Sequence, residues 1–465
     1  MFVEKLNISA SPAAAFSGIK DLPYAMLLES QKFSRTMGRF SFLFAYPEVV
    51  FMNNRNKITI LRNAKKEFFF GDPFMVIREL LKEFKNKREH AYLPFSGMAV
   101  GYFGYELRHF IEKVPAAKAD IFTIPDCVLG FYNQAVIYDH LKKKVYYAAC
   151  APDKKPSLKH AVLKQISRQE NFRQINGRDY CLHLHSNFTK TKYIAAVNSV
   201  KRYIKNGDIY QANLAQRFTG KCRLHPYILY ERLRKINPVC YGAYLNFGDF
   251  TIVSASPEKF LTLKGRHVST RPMKGTRPRG DTAHEDRKLK NELIKSAKDK
   301  AELVMIVDLE RNDLGRVCAY RSIEVKRLRI LESYATVFQT TSVIDGRLIK
   351  GKDALDLLRA CFPGGSITGA PKIRAMEIIS EIEQLKRSVY TGAIGYIGFS
   401  GDMDLSIAIR TLVWKNNNVC FHVGGGIVAD STGEQEYQET LHKAKALLCA
   451  ISAPEPRMIQ IEGIS

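Results

Sequence analysis

The sequence predicts a fold that combines α-helices with β-strands, and three observations support this prediction. Residues 1 to about 150 contain several short apolar or alternating stretches, such as 40–46, that are typical of strands. Apolar residues spaced three and four apart over 193–204 predict a long helix. Near the C-terminus, the apolar stretches 391–399, 403–414 and 419–428 are separated only by short polar turns, so they predict three consecutive strands.

The N-terminal half supplies most of the remaining elements in order. Residues 25–30 form one apolar stretch, and 135–149 is interpreted as two strands about a polar turn. The polar stretch 151–187 is the best candidate for a boundary, and part of it is compatible with a helix. The helix at 193–204 follows and is expected to stop at Gly207.

Two strands carry polar residues on a face that is otherwise small or apolar. The stretch 208–218 predicts a strand with Gln211, Asn213 and Ala215 on one face. The middle C-terminal strand, 403–414, places Arg410 on a face with small residues. An arginine in such a position is equally typical of an anion holder and of a buried ion pair.

A glycine-rich loop at 361–372 precedes a helix that is predicted to open at Pro371, where backbone N–H groups can meet an anion. Gly364 and Gly369 have the outer spacing of a nucleotide-binding P-loop. However, Ala370 and Pro371 occupy the positions that require lysine and serine or threonine. The loop is therefore not of that kind.

Two pairs of acidic residues at helical spacing form the best candidate for a metal site. Asp299 and Glu302 share one face of a helix predicted over 289–315, although a solvated acidic turn is equally compatible with this segment alone. Glu436 and Glu439 repeat the spacing near the C-terminus. Carboxylates from two helices, which leave other positions to water and substrate, are usual ligands of Mg²⁺, so we expect one ion shared between the helices.

Composition excludes several classes of protein. No apolar run approaches the roughly 20 residues of a membrane span, and the N-terminus lacks the order of a signal peptide, so the protein is expected in the cytoplasm and not at a membrane. The nine cysteines are an odd number and include no Cys-x-x-Cys pair, which is typical of reduced thiols. Cys181, His183 and His185 lie close together but lack a second cluster, so they are a weak metal candidate.

The formal net charge of +25 raises a nucleic-acid-binding hypothesis. The lysines are dispersed, however, and the sequence contains no known nucleic-acid module and no basic stripe with interleaved aromatic residues. A surface bias that helps to gather an anionic substrate is the preferred interpretation, and no nucleic-acid partner is expected.

Three motifs in order along the second half of the chain resemble one enzyme family. They are Asp-Leu-Glu-Arg-Asn-Asp-Leu-Gly-Arg at 308–316, Phe-Pro-Gly-Gly-Ser-Ile-Thr-Gly-Ala-Pro-Lys at 362–372 and Gly-Gly-Gly-Ile-Val-Ala-Asp-Ser at 424–431. The family is the chorismate-utilising enzymes, which include the anthranilate, aminodeoxychorismate, isochorismate and salicylate synthases. The resemblance covers about 187–450 and continues more weakly through Leu-Leu-Glu-Ser at 27–30 and Gly-Tyr-Phe-Gly-Tyr-Glu-Leu at 101–107.

The resemblance implies an α+β fold of two large antiparallel β-sheets packed together with helices outside. It implies an N-terminal region at 1–165 and a chorismate-binding catalytic region at 187–452, both within one compact fold. Chorismate and Mg²⁺ would lie between the sheets, with Glu302 and Glu439 as metal ligands and Asp299 and Glu436 acting mostly through water. The residues that would bind the substrate are Gln211, Thr276, Thr368, Gly369, Tyr396, Arg410, Gly424, Gly425, Gly426 and Lys443.

Three positions distinguish the branches of the family. The isochorismate and salicylate synthases carry a lysine where this chain has Gln211, so the nucleophile here is expected to be ammonia. Anthranilate synthases typically have alanine where Pro-Met-Lys-Gly-Thr at 272–276 has Lys274. Gln339 replaces a histidine that is linked to the aromatising step of anthranilate synthase. The aminodeoxychorismate synthase branch is therefore expected, with anthranilate synthase component I as the alternative.

In that branch, the resemblance makes Lys274 a nucleophile that adds to chorismate and Glu258 the acid that protonates the departing hydroxyl. Without the family match, a lysine between Pro-Met and glycine is more often a turn residue than a nucleophile. Glu258 would equally be an exposed residue after a proline turn.

Partners and a second pocket also follow from the resemblance. The chain ends at Ser465, soon after the last family helix, so the glutaminase subunit that supplies ammonia is expected to be a separate protein, as is any aminodeoxychorismate lyase.

The family's tryptophan pocket corresponds to Ser30, Arg39, Phe40, Cys240, Tyr241 and Gly242. Asn-Pro-Val-Cys-Tyr at 237–241 departs from the Asn-Pro-Ser-Pro-Tyr of feedback-regulated relatives, so tryptophan is expected either to bind without regulating or not to bind.

Overall fold

The computed structural model describes residues 1–33, 37–85, 93–117, 122–150, 156–166, 179–334, 337–453 and 460–462. Helices and strands are interspersed along these ranges. The α-helices are α1 (Pro12–Ser17), α2 (Pro73–Glu83), α3 (Leu158–Ile166), α4 (Lys190–Lys205), α5 (Pro226–Ile236), α6 (Ala283–Lys295), α7 (Ala297–Gly315), α8 (Ala354–Cys361), α9 (Lys372–Glu383) and α10 (Gly433–Ile451). Short 3₁₀ helices lie at Tyr105–Phe110 and Gly365–Ile367.

The strands belong to two sheets. The first half of the chain contributes β1 (Phe2–Leu6), β2 (Met26–Glu29), β3 (Phe40–Phe44), β4 (Val49–Asn54), β5 (Lys57–Arg62), β6 (Lys65–Phe70), β7 (Met98–Phe103), β8 (Cys127–Tyr132), β9 (Gln134–Asp139), β10 (Lys144–Ala149), β11 (His183–Ser186) and β12 (Gln211–Lys221). The second half contributes β13 (Tyr241–Asn246), β14 (Thr251–Ser256), β15 (Lys259–Lys264), β16 (His267–Arg271), β17 (Met273–Pro278), β18 (Glu324–Ser333), β19 (Val337–Arg347), β20 (Gly369–Ala370), β21 (Ala393–Gly398), β22 (Met403–Ile407), β23 (Thr411–Lys415), β24 (Asn418–Ile427) and β25 (Gln460–Glu462).

The first sheet has 13 strands in the order β1-β10-β9-β3-β2-β13-β14-β23-β24-β12-β11-β25, with β20 paired to β12. The second has 12 strands in the order β17-β19-β16-β15-β22-β21-β7-β8-β4-β5-β6, with β18 paired to β19. Neighbouring strands are antiparallel except for the parallel pair β11–β25. The predicted α+β fold with two large antiparallel sheets is therefore confirmed.

Side chains from both sheets share one apolar core. Phe44 on β3 packs on Tyr132 on β8 with ring centroids 5.1 Å apart, and Phe42 meets Tyr396 on β21 at 5.6 Å. Each phenylalanine or leucine buried here contributes about 1.5–3 kcal/mol to stability. The outer face of the first sheet packs on α1, α3, α5 and α10, and that of the second on α2, α7 and α8. Helices therefore cover the outer faces.

The acidic stretch near 299 differs from the single helix that the sequence predicts over 289–315. The structure divides it into α6 and α7, because Ser296 has an extended backbone between them. The Ser296 hydroxyl accepts a hydrogen bond from the backbone N–H of Asp299 at 3.1 Å, which is the usual N-cap interaction. The shared face of Asp299 and Glu302 is retained on α7.

The predicted strand 403–414 is also divided. β22 lies in the second sheet and β23 in the first, and the chain crosses from one to the other at residues 408–410. Arg410 has a φ of 52°, which ends strand geometry there, so its expected place on a strand face is wrong.

Other boundaries shift by a few residues. The strand predicted at 208–218 begins at Gln211, and the helix predicted to open at Pro371 has that proline as its N-cap. The glycine-rich loop contains an additional short strand, β20. Parts of the predicted boundary stretch, 151–155 and 167–178, lie outside the described residues, and the part between them contains α3.

None of the helices described is both long enough and apolar enough to cross a lipid bilayer.

Candidate active site

Lys274 on β17 is the centre of the candidate site. A Cβ atom added to Gly426 on β24 would lie 3.1 Å from the Lys274 Nζ and 2.9 Å from the Gln211 side-chain amide, so these two side chains meet at the Gly426 backbone. Burial lowers the pKa of Lys274, and the Lys443 charge acts in the same direction, whereas Glu302, Glu258 and Glu439 oppose the shift. This environment favours the neutral amine, which is the nucleophilic form.

Gln211 faces the same space from the first residue of β12. Its side chain is fully buried, and neither its oxygen nor its nitrogen has a hydrogen-bond partner among the described residues. Leaving such an amide unpaired costs on the order of 1–3 kcal/mol, which is typical of a group that awaits a ligand or water.

Glu258 lies in the turn between β14 and β15 and is only 4% exposed. The Ser366 hydroxyl donates to its Oε1 at 2.6 Å. Burial raises the pKa of Glu258 to about 7, while Ser366, Lys274 and Lys443 act in the opposite direction. A carboxyl group that titrates near neutral pH can both give and take a proton during one turnover.

The four predicted metal ligands lie on α7 and α10, as expected. A Cβ atom on Gly425 would lie 3.1 Å from the Glu436 Oε2 and 3.3 Å from the Glu439 Oε1, so both carboxylates approach this strand. Burial raises the pKa values of Glu302 and Glu436, and Glu439 adds to both shifts. The pKa of Glu439 is lowered, chiefly by the Lys443 charge.

Each of these carboxylates has its own partner in the structure. Lys443 pairs with Glu439 at 2.6 Å, and Arg277 pairs with Asp299 at 3.0 Å. Ser431 donates to Glu436 at 2.6 Å, and Lys298 lies 3.9 Å from Glu302. With these partners in place, no three histidine, cysteine or acidic side chains in the described ranges converge to hold a metal ion.

Two of the predicted substrate residues, Arg410 and Lys443, are cations. The guanidinium of Arg410 makes no hydrogen bond or ion pair with the described part of the chain, and burial lowers its pKa. Lys443 donates to the carbonyl oxygen of Gly424 at 2.9 Å as well as to Glu439. Arg410 is therefore a buried cation with no anionic partner in the described part of the chain, which is typical of a group that binds an anion.

The remaining predicted substrate residues make protein contacts. The Thr368 hydroxyl donates to the carbonyl of Gly364 at 2.9 Å, and the side chain of Thr276 accepts from Gln339 at 3.3 Å. Tyr396 packs against Phe42. The predicted backbone-binding glycines lie on β20 and β24, where β12 pairs with both strands. Direct substrate contacts of these residues stay predictions.

The residues predicted for a tryptophan pocket lie on or beside the neighbouring strands β3, β2 and β13, and the Ser30 backbone N–H donates to the Ser41 hydroxyl at 3.0 Å. The Ser30 hydroxyl donates to the carbonyl of Cys240 at 2.8 Å, and a Cβ atom on Gly242 would lie 3.1 Å from the carbonyl of Glu29. Arg39 pairs with Asp139 at 2.7 Å and lies over the Phe40 ring. Burial raises the pKa of Tyr241, and the Asp404 charge adds to the shift. Tryptophan binding stays a prediction.

Comparison with known sequences now adds to this geometry. The sequence model of the family described as chorismate binding enzyme matches residues 32–449. The chain belongs to the chorismate binding enzyme family. This confirms the resemblance that the three motifs predict.

Relatives within the chorismate binding enzymes match over nearly the whole chain. Identity is 38% over 436 residues to aminodeoxychorismate synthase component 1 of Escherichia coli, covering 93% of this chain and 94% of that protein. It is 36% over 457 residues to anthranilate synthase component 1 of Acetivibrio thermocellus, covering 95% and 92%. The crystal structure of anthranilate synthase component I from Streptococcus pneumoniae superposes with a TM-score of 0.77 at 33% identity, covering 88% and 92%. Overall similarity thus assigns the family but does not separate its members.

Sequence reasoning did not predict two carboxyl groups that this chorismate binding enzyme buries below the candidate metal ligands. Glu310 and Asp313 continue the α7 face of Asp299 and Glu302, and Lys372 pairs with Asp313 at 2.5 Å. Thr270 is 2.9 Å from the Glu310 carboxyl. Burial raises the pKa of Glu310 well above its usual range, and the Glu258 charge adds to the shift. The spacing of positions 299, 302, 310 and 313 places all four acidic residues on one helix face, and this pattern could have predicted the two buried carboxyl groups.

Proposed function

We infer that the protein is the chorismate-converting component of an aminodeoxychorismate synthase, which makes 4-amino-4-deoxychorismate for p-aminobenzoate and folate. The observation that carries this proposal is the Lys274 amine, which lies beside Gln211 and Gly426 in a site that favours its neutral form. Three carboxylates favour its charged form, but burial outweighs them and lowers its pKa. A lowered amine pKa is a property that a lysine nucleophile requires.

The first half of the reaction follows from two side chains. The neutral amine of Lys274 adds to C2 of chorismate, the ring double bonds shift, and the C4 hydroxyl leaves as water with a proton from Glu258. The adduct holds the lysine nitrogen as a protonated secondary amine, and Glu258 becomes a carboxylate. The pKa of Glu258 near 7 supports this role as an acid.

The second half reverses the electron shift. Ammonia adds at C4, the bond between C2 and the lysine nitrogen breaks, and Lys274 leaves as a neutral amine. Glu258 accepts a proton from the new C4 ammonium group and is ready for another turnover. Chorismate and ammonia are consumed, and 4-amino-4-deoxychorismate and water are formed.

The carboxylates on α7 and α10 are the hard oxygen donors that Mg²⁺ prefers, and the Glu439 charge adds to the raised pKa values of Glu302 and Glu436, so the residues present fit a cation. Glu302 and Glu439 would ligate the ion, and Asp299 and Glu436 would act mostly through water. When bound, the ion would draw electron density toward the ring carboxylate as the hydroxyl leaves. Arg410, Lys443 and the glycines of β24 would hold the carboxylates of chorismate.

Anthranilate synthase component I is the alternative activity, and relatives with that name match at similar identity. Gln339 argues against it, because a glutamine amide cannot serve as the base that an aromatising step requires. Its side chain donates to Thr276 at 3.3 Å, two residues from Lys274 in sequence. Lys274 and Gln339 together favour the non-aromatic product.

Ammonia supply gives a direct test of the partner that the proposal requires. The purified chain should not turn over chorismate with glutamine, because we assign no glutaminase chemistry to it. It should use an ammonium salt, and more so as the pH rises toward the pKa of ammonium. Addition of a purified aminodeoxychorismate synthase component II should restore the use of glutamine. Glutamine-dependent turnover by the single chain would contradict this part of the proposal.

A further inference from the structure

We propose that Ser366 is a positioning residue for Glu258, and that Asn213 and Arg387 fix the loop that carries Ser366. This inference rests on the proposed function, because it assigns the control of the acid that the reaction uses.

The contact between the two side chains is short and protected from water. The Ser366 hydroxyl donates to the Glu258 Oε1 at 2.6 Å, and the two residues are 5% and 4% exposed. The backbone N–H of Met273 also donates to this carboxyl group. Ser366 is therefore the side chain that holds Oε1 of Glu258 in one position.

The loop that carries Ser366 is fixed through three consecutive carbonyl groups. The Asn213 side-chain amide donates to the carbonyl of Ser366 at 3.3 Å, and its backbone N–H donates to the carbonyl of Thr368 at 2.7 Å. Arg387 donates to the carbonyl of Ile367 at 3.1 Å. A loop held at each residue has little freedom, so the serine hydroxyl keeps one direction.

Arg387 is itself held by a buried ion pair. It is 2% exposed, and its guanidinium contacts both carboxylate oxygens of Glu383, at 2.9 Å and 2.6 Å. The same group donates to the carbonyl of Asn213 at 2.5 Å, and Glu383 accepts from the backbone N–H of Ala215 at 2.8 Å. This planar fork links the loop to β12, which carries Gln211.

The charged groups that face Glu258 come from three other elements. Lys274 on β17 and Lys443 on α10 favour its ionised form. Glu310 on α7 also faces it, since the Glu258 charge adds to the rise in the pKa of Glu310. The Ser366 hydroxyl favours the ionised form of Glu258 by donating a hydrogen bond to the carboxylate. Removal of this hydroxyl, with Lys274 and Lys443 still present, should therefore raise the pKa of Glu258 above about 7.

The test compares Ser366→Ala with wild type by the pH dependence of kcat/KM for chorismate, with Mg²⁺ and a constant concentration of free ammonia. The wild-type rate should fall as pH rises through the pKa of Glu258, and this limb should be lost together with most of the activity in Glu258→Gln. In Ser366→Ala, the limb should move upward by about one pH unit, and the maximal rate should fall by roughly tenfold because the carboxyl group is less well oriented. Ser254→Ala is the matched control, since Ser254 is a buried serine on β14 that bonds to Thr411 and not to Glu258.

Arg387→Lys tests whether Arg387 fixes the loop, because a lysine cannot make the paired hydrogen bonds of a guanidinium with Glu383. It should move the limb in the same direction as Ser366→Ala. A lower thermal midpoint with an unmoved limb would remove Arg387 from the proposal. An unmoved limb in Ser366→Ala would overturn the role of the serine while leaving the proposed reaction intact, whereas a wild-type profile in Glu258→Gln would overturn the reaction itself.

Discussion

Replacing Lys274 with alanine is expected to abolish the conversion of chorismate, with a loss of roughly 10³-fold or more in kcat, because removal of a covalent nucleophile leaves only binding and electrostatic stabilisation. The fold should tolerate the change, since Lys274 lies at a sheet edge on β17 and its Nζ faces Gly426 and Gln211. A large loss of kcat in Lys274→Ala, with an unchanged thermal unfolding midpoint, would identify a chemical role for this lysine.

Mass spectrometry can detect the intermediate directly. Wild-type enzyme mixed with chorismate and Mg²⁺, without ammonia, should gain the mass of chorismate less water on the peptide that contains Lys274. Lys264→Ala is a suitable control, since that exposed lysine lies at the end of β15. The control should form the adduct, and Lys274→Ala should not. No adduct in wild type, together with an unchanged rate in Lys274→Ala, would make the lysine a bystander.

Glutamine in place of Glu302 or Glu439 should remove nearly all activity and weaken Mg²⁺ binding. Substitution of a residue that hydrogen-bonds to a metal ligand typically costs about 10–100-fold in metal affinity, so the loss of a ligand itself should cost at least that much. Glu439→Gln also removes the ion pair with Lys443, so Glu302→Gln is the cleaner variant.

Calorimetric titration of Mg²⁺ into each variant is the measurement. Glu434→Gln is the matched control, because Glu434 lies on α10 but pairs with Lys190 and is exposed. It should bind the ion and turn over as wild type does. Full activity of Glu302→Gln in the presence of a chelator would exclude this metal assignment.

The reactive centre could be predicted from sequence because its members lie in short motifs. Lys274 and Glu258 were predicted only through the family resemblance that these motifs carry, and the structure brings them near Gln211 and the glycines at 424–426. The helical spacing of Asp299 with Glu302, and of Glu436 with Glu439, was enough to predict that each acidic pair shares one helix face. The fold class followed from the resemblance, since periodicity indicates strands but does not show how they are shared between two sheets.

Other features depend on contacts that are distant in sequence. Asn213 lies 153 positions from Ser366 and 174 from Arg387, so no local pattern indicates that they support one loop. The crossing of the chain between sheets at Arg410 requires a positive φ that an arginine rarely adopts on its own. At Ser296, helix propensity favours one long helix, but the serine side chain offers a competing cap.

The nature of the product tests the central claim most directly. The purified chain should be incubated with chorismate, Mg²⁺ and an ammonium salt at raised pH, and the products should be separated and assayed for fluorescence and pyruvate. The proposed function predicts 4-amino-4-deoxychorismate, without pyruvate and without the fluorescence of anthranilate. Anthranilate formed together with an equal amount of pyruvate would contradict it and would assign the chain to the anthranilate synthase branch of the family.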